Sequence, residues 1–332
     1  MFRHFPVACF AVVLLLVSAA PAMAAGLDAA AINDAVAPTK KLPGRHQASA
    51  SIAKLEILLD RAHFSPGEID GQLGENAQKA LTAFAAANGL SFDKAVTPDI
   101  WSKLAAASEG PAVVNYTIVD ADVKGPFLKQ VPAKMESMKG LPALNYTGPR
   151  EALAEKFHMS EALLQALNPG QKFDKAGDSI AVANVVDTGA SAPVARAEVD
   201  KARQTLSTFD AAGKLTAFYP ATVGSTEKPT PNGTLKVTAI NKNPTYRYNP
   251  KYKFKGVKSR TPFTIKPGPN NPVGSIWINL SAEGYGIHGT PDPGKVSKAA
   301  SHGCVRLTNW DAQQVAAGVA KGTPVTFVDG TR

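Results

Sequence analysis

Apolar residues recur at helical spacing through the first half of the chain and at alternating spacing after Ala195, and no other feature limits the fold as much. A 3.6-residue period buries one stripe of a helix, whereas a two-residue period buries one face of a strand. Between the two regimes lies DTGASAPV, which reads as a linker at 187–195. Helices gathered ahead of strands predict a multidomain α+β protein, and 332 residues hold two or three domains.

Residues 25–48 are Ala-rich, carry Pro38, Pro43 and Gly44, and read as a tether. SIAKLEILLDRA then puts Ile52, Leu55, Leu58, Leu59 and Ala62 on one helical face. A turn-rich stretch with Asp70-Gly71 follows, and ENAQKALTAFAAANGL aligns Ala77, Ala80, Leu81 and Phe84 before Gly89 stops it. A short helix around Trp101 completes a three-helix unit at 49–106. In the 111–186 segment, Leu153 and Phe157 mark one helix. Ser160 caps a second bearing Leu163, Leu164 and Leu167, and Ile180-Ala181-Val182 makes a closing strand. Downstream, short strands alternate with turns at Asp210 to Gly213 and Pro229 to Gly233. A strand at Ile276 to Leu280, another near Tyr285 to Gly289, a helix from Trp310 to Ala320 and a last strand at Pro324 to Val328 complete a mainly-β unit at 196–329. On patterning alone, an exported β-sandwich binding module fits that unit too.

The first residues, MFRHFPVACFAVVLLLVSAAPAMAAG, combine Arg3, an apolar run too short to span a bilayer comfortably, and the small residues of Ala22-Met23-Ala24. They read as a signal peptide at 1–24, and no later stretch approaches a membrane helix in length. Export sharpens the cysteine count: Cys9 leaves with the signal, and Cys304 has no partner for a disulfide. An unpaired thiol in an oxidising compartment is either reactive or buried and inert. The net charge of +9, from 36 basic and 27 acidic residues, suits an anionic polymer. Export makes nucleic acid a poor candidate and the acidic cell wall or a membrane surface a better one.

His288 lies 16 residues before Cys304, on an apolar strand that ends in Gly-Thr. A thiol becomes a nucleophile as thiolate, and a histidine can take its proton once a third group orients the ring. The unobstructed Gly289 carbonyl is one such group. Gly303 allows close backbone approach, and its N–H with that of Cys304 could line an oxyanion hole. Two other readings stand beside this one: a zinc site built from His288, His302 and Cys304, or a structural cysteine with incidental histidines.

IHGT (287–290) followed by SHGCVRL (301–307) resembles the signature of the L,D-transpeptidase catalytic domain, the YkuD-like fold. Thr230-Pro231-Asn232-Gly233, Asn271-Pro272-Val273-Gly274, Trp277 and Gly322-Thr323-Pro324-Val325 follow in that family's order. Upstream, Leu55, Leu59, Ile69-Asp70-Gly71, Gly74, Ala80, Phe84, Gly89-Leu90 and Trp101 resemble the peptidoglycan-binding type-1 domain. The 111–186 segment is similar to a β-α-α-β LysM module whose usual Gly-Asp-Thr start is replaced by Gly148-Pro149-Arg150-Glu151.

The resemblance implies that Cys304 is the nucleophile and His288 the general base and acid, held through the Gly289 carbonyl. Gly303 and Cys304 supply oxyanion N–H groups, Ser301 and His302 shape the pocket, and His302 is a candidate donor to substrate. Many family members carry Asn where this chain has Arg306, for which a substrate carboxylate and a structural ion pair are equal candidates. The implied reaction opens the diaminopimelate–D-alanine bond of a tetrapeptide stem through a thioester, with no metal or organic cofactor. The acyl group then passes to a second stem, to an envelope protein, or to water as an L,D-carboxypeptidase. Partners would be peptidoglycan stem peptides and glycan, and the location the periplasm or cell envelope. A non-catalytic peptidoglycan-binding protein and a zinc peptidase remain the alternatives. The basic stretch from Thr245 to Phe263 reads as a cover for the substrate cleft or as a solvated loop.

Overall fold

The structure is a computed structural model, and it describes residues 27–38, 48–107, 109–185, 193–224, 229–252, 256–298, 301 and 303–330. The expected signal peptide at 1–24, most of the expected 187–195 linker and His302 lie outside the described residues.

The expected tether is not uniformly a tether. Asp28 accepts a hydrogen bond from the Ala31 N–H and caps a helix, α1 (Ala29–Asp34), that buries Ile32 completely. The Asn33 side chain then bonds both backbone groups of Val113, at 2.9 Å each. An alanine-rich run with one cap and one large apolar residue is enough to dock. The three next helices start as their caps dictate: α2 (Ala50–Arg61) at Ser49, α3 (Glu75–Ala87) after Gly74, and α4 (Pro98–Ala106) at Thr97 with Pro98 in the first turn. Leu55, Leu59, Ala80, Leu81, Phe84, Ile100 and Leu104 close one core between them.

In the 111–186 segment, β1 (Val113–Thr117) and β2 (Ser179–Ala183) pair antiparallel. They bracket four helices rather than the two expected. The short α5 (Asp120–Val123) and α6 (Met135–Met138) precede α7 (Pro149–Lys156) and α8 (Glu161–Leu167), the last capped by Ser160. Ala53, Ile57 and Ile69 of the three-helix unit share a core with Leu153, Leu163, Leu164 and Val182, so the two upstream segments pack as one body.

The mainly-β unit is a mixed eight-stranded sheet. In chain order its strands are β3 (Arg196–Asp200), β4 (Thr205–Phe209), β5 (Leu215–Pro220) and β6 (Gly233–Lys242), then β9 (Ile276–Leu280), β10 (Gly286–His288), β11 (Val305–Arg306) and β12 (Pro324–Val328). Their spatial order is β11-β10-β9-β6-β12-β3-β4-β5. A separate hairpin of β7 (Tyr246–Tyr248) and β8 (Phe263–Ile265) carries the basic stretch. That stretch is anchored: Glu136 of α6 accepts the N–H groups of Lys258 and Ser259, and Tyr248 stacks on Phe263 at 4.7 Å. Helix α9 (Asn309–Gly318) begins one residue earlier than expected because Thr308 caps it, and it ends two residues earlier as Val319 turns extended.

Upstream body and sheet meet at Phe218. Its N–H donates to the His63 carbonyl and its own carbonyl accepts from Ser65, both at 2.9 Å, while its ring joins the helical core around Phe64 and Phe84.

Candidate active site

The spacing between the histidine and the cysteine becomes a register. Strands β10 and β11 run parallel with Ile287 opposite Val305 and His288 opposite Arg306. Ile287 and Val305 are both fully buried in the sheet's core. Side chains alternate along a strand and neighbouring strands lie about 4.8 Å apart, so His288, Arg306 and Cys304 just ahead of β11 share the other face. The loop between the strands brings the chain back into parallel register beside itself. The backbone of Thr222 covers the outer edge of β11, exchanging both hydrogen bonds with Arg306 at 2.8 and 2.9 Å.

His288 is held on two sides. Its Nδ1 lies 2.6 Å from the Gly289 carbonyl, which can accept a hydrogen bond only if that nitrogen carries the proton, leaving the Nε2 lone pair free for chemistry. Its ring stacks on Trp277 of β9, with centroids 5.4 Å apart and planes 18° from parallel. The same indole lies over Gly286, where an added Cβ would come within 2.7 Å of the ring. Only glycine admits tryptophan there.

Cys304 is partly buried, and its thiol donates to the Gly284 carbonyl at 3.6 Å. Gly303 holds φ at +99°, and a Cβ on it would approach Tyr285 to 2.9 Å, so both the turn and the neighbouring ring require glycine. Ser301 is buried and closes the turn by donating its hydroxyl to the Cys304 carbonyl at 2.6 Å. Arg306 is largely screened from water by its surroundings, and its Nε is buried with no hydrogen-bond partner among the described residues. Asp292 is the carboxylate that acts on its charge.

Electrostatics set the resting protonation. Burial pushes His288 down to about 3, the Arg306 charge pushes the same way, and the bond to Gly289 offsets them only in part. Burial pushes Cys304 up to about 11 against the opposing effects of a hydrogen bond from the Gly286 backbone and the Arg306 charge. At neutral pH the pair is thiol and neutral imidazole rather than thiolate and imidazolium.

The roles of several contributors were not readable from the sequence. Trp277 is one: the alternation of IWINL puts it on the face opposite the buried Ile276 and Ile278, which marks the side facing the histidine but not the stacking. Asn309 is another. Its Oδ1 accepts from the Ser275 N–H at 3.1 Å and occupies the space that a side chain on Gly274 or Gly289 would need. For the zinc reading, His302 lies outside the described residues, and among the described residues no three His, Cys, Asp or Glu side chains are grouped for a metal.

The model of the YkuD L,D-transpeptidase catalytic domain matches residues 195–327. The YkuD protein of Bacillus licheniformis, assigned as an L,D-transpeptidase, is 32% identical over 181 residues, which cover 53% of this chain and 92% of its own. Its counterpart in Bacillus subtilis strain 168 is 30% identical over 177 residues, 53% of this chain and 91% of its own. YbiS of Escherichia coli K12, also assigned as an L,D-transpeptidase, is 34% identical over 113 residues, 33% of this chain and 37% of its own. With the parallel β10–β11 register, which sets His288 beside Arg306 two residues past Cys304, and this kinship together, the chain belongs to the L,D-transpeptidase family.

Proposed function

We propose that this protein is a cysteine L,D-transpeptidase of the cell envelope, acting on peptidoglycan tetrapeptide stems through Cys304 and His288. The observation that carries the reading is the β10–β11 register, with His288 committed through Nδ1 to the Gly289 carbonyl. In the first step Nε2 of His288 takes the thiol proton as Sγ attacks the carbonyl of the diaminopimelate–D-alanine bond. Starting from neutral partners, proton transfer and attack are coupled, so the buried site never holds an isolated charge pair at rest. The N–H groups of Gly303 and Cys304 receive the oxyanion. The intermediate collapses to a thioester while His288 returns the proton to the departing D-alanine amine.

A second amine then attacks the thioester with His288 again as base, releasing the Cys304 thiol. A stem amine gives a 3→3 cross-link, a protein amine an anchored envelope protein, and water a trimmed stem. Arg306, whose buried Nε has no partner among the described residues, is suited to hold a stem carboxylate. Ser301 braces the turn, and His302 is the candidate donor to the substrate from the same loop.

The charge of +9 suits an anionic wall polymer, and a glycan-binding role for residues 49–106 and 111–186 would raise the local concentration of stems. The Bacillus alignments support a shared upstream module: they span more of this chain than the catalytic match does, and only five residues follow 327. Export by the 1–24 segment would place the enzyme where the polymer is.

The test is product analysis with a disaccharide-tetrapeptide, comparing wild type and Cys304→Ala. Release of D-alanine with a cross-linked dimer, lost in the variant, supports the reading. Release that persists undiminished in Cys304→Ala would overturn it.

A further inference from the structure

We infer that Glu155, a residue of the upstream body, is a positioning residue for the catalytic histidine, acting through Asn309; this rests on the role proposed for His288. Glu155 lies on α7, outside the sheet, and its two carboxylate oxygens accept from Asn309 Nδ2 at 3.1 and 3.0 Å. Tyr146 donates its hydroxyl to the same carboxylate at 3.1 Å and fixes its orientation. The Pro269 carbonyl also accepts from Asn309 Nδ2, at 3.2 Å. With its amide nitrogen committed on that side, Asn309 must present Oδ1 to the opposite one.

There Oδ1 accepts from the Ser275 N–H and sits against the backbones of Gly274 and Gly289, filling the space that a Cβ on either would occupy. Gly289 is the residue whose carbonyl holds His288 Nδ1. The chain of contact is therefore carboxylate, amide, peptide, imidazole. Each link has a single satisfied geometry, and rotation of the Asn309 amide by half a turn would set its NH2 against the Ser275 N–H. Burial raises Glu155 to about 7, and in its ionised form above that pH it is a strong acceptor that only the NH2 side can satisfy, so Glu155 selects the orientation that supports the peptide.

The upstream body would thus be needed to complete the active site, beyond any part in targeting. Removing the carboxylate should let the Gly289 peptide and the imidazole sample other orientations, and small misplacements of a base are expensive in rate. Substrate contacts elsewhere are untouched, so the loss should fall on kcat rather than KM.

The experiment uses the full exported chain as wild type, Glu155→Ala, Glu155→Gln and Glu161→Ala, the last a surface change on the neighbouring helix α8. D-alanine release gives kcat and KM, and 15N NMR of the His288 ring gives its tautomer. Glu155→Ala should lower kcat about 10- to 100-fold with KM within about twofold. It should also move the ring from a single Nδ1–H form to an averaged mixture. Glu155→Gln, which keeps an acceptor oxygen, should recover most of both, and Glu161→Ala should match wild type. An unchanged tautomer and kcat in Glu155→Ala would overturn the inference, as would an equal loss in Glu161→Ala. The two readings fail separately: a wild type that turns over nothing sinks the function proposed for the site, while the ring spectrum still decides the role of Glu155.

Discussion

Strands β10 and β11 and helix α7 reach the same histidine by different routes. In the sheet, chemistry-bearing residues are placed by register over a handful of positions: once Ile287 and Val305 are buried side by side, His288, Cys304 and Arg306 must share the opposite face. In the upstream body, placement depends on side chains from distant segments meeting across packed surfaces. The buried cluster beneath α9 shows the second mode. Asp60 of α2 lies 3.0 Å from the His158 ring, that ring stacks on Trp310 at 5.1 Å, and Ser65 donates to Asp311 at 3.1 Å. Three regions of the chain contribute to one polar cluster, and no single stretch of sequence contains it. Register makes a site that a short motif can announce, whereas cross-segment packing makes a support that stays silent until the fold is known.

The contrast can be broken at its strongest point by His288→Gln. If the imidazole is the base that register delivers, kcat/KM should fall by about 10²–10⁴-fold with the melting temperature little changed. A loss of less than about fivefold would mean that another group takes the thiol proton. Phe218→Ala attacks the seam between the two regions. A buried phenylalanine truncated to alanine costs about 3–5 kcal/mol. Because this ring joins the helical core, denaturant unfolding should separate into two transitions, the upstream body melting first. A single transition at the wild-type midpoint would show that the halves do not depend on this contact.

The smallest effect concerns the polar cluster. Burial, with the nearby Asp60 charge, raises Asp311 to about 7 from an unfolded value near 3.8. A raised carboxyl binds its proton more tightly in the folded state, so its contribution to stability is fully present below about 3.8 and is lost as pH rises towards 7. His288, held down to about 3, has the opposite slope and favours the folded state less as pH falls below about 6.5. The difference in melting temperature between Asp311→Asn and wild type should therefore grow in the variant's favour from pH 5 to pH 8. A difference that stays flat across that range would remove Asp311 from the pH response.

Much of the sheet was legible because each of its signals is local. The turn at Asp210 to Gly213 and the alternation in IWINL each specify their own few residues, and IHGT and SHGCVRL mark the histidine and the cysteine, whereas their parallel pairing emerges only in the fold. The helix inside the expected tether has no local signature because a six-residue helix is held by docking rather than propensity: Ile32 is buried in the core, and Asn33 finds its partner at Val113, 80 residues away. The extra helices of the 111–186 segment and the anchoring of the basic stretch were hidden for the same reason, since Glu136 meets Lys258 only after both have folded. Glu155 sits beside Leu153 and Ala154, two residues that face the core, and a glutamate at the edge of such a stripe is the one trace of its inward role.

The most direct measurement is intact-protein mass spectrometry of the enzyme mixed with a tetrapeptide stem and quenched in acid within one turnover. The account predicts a mass gain equal to the stem less its terminal D-alanine, localised to Cys304 and discharged on adding an acceptor amine. Release of D-alanine without any covalent species, or an adduct on another residue, would contradict it.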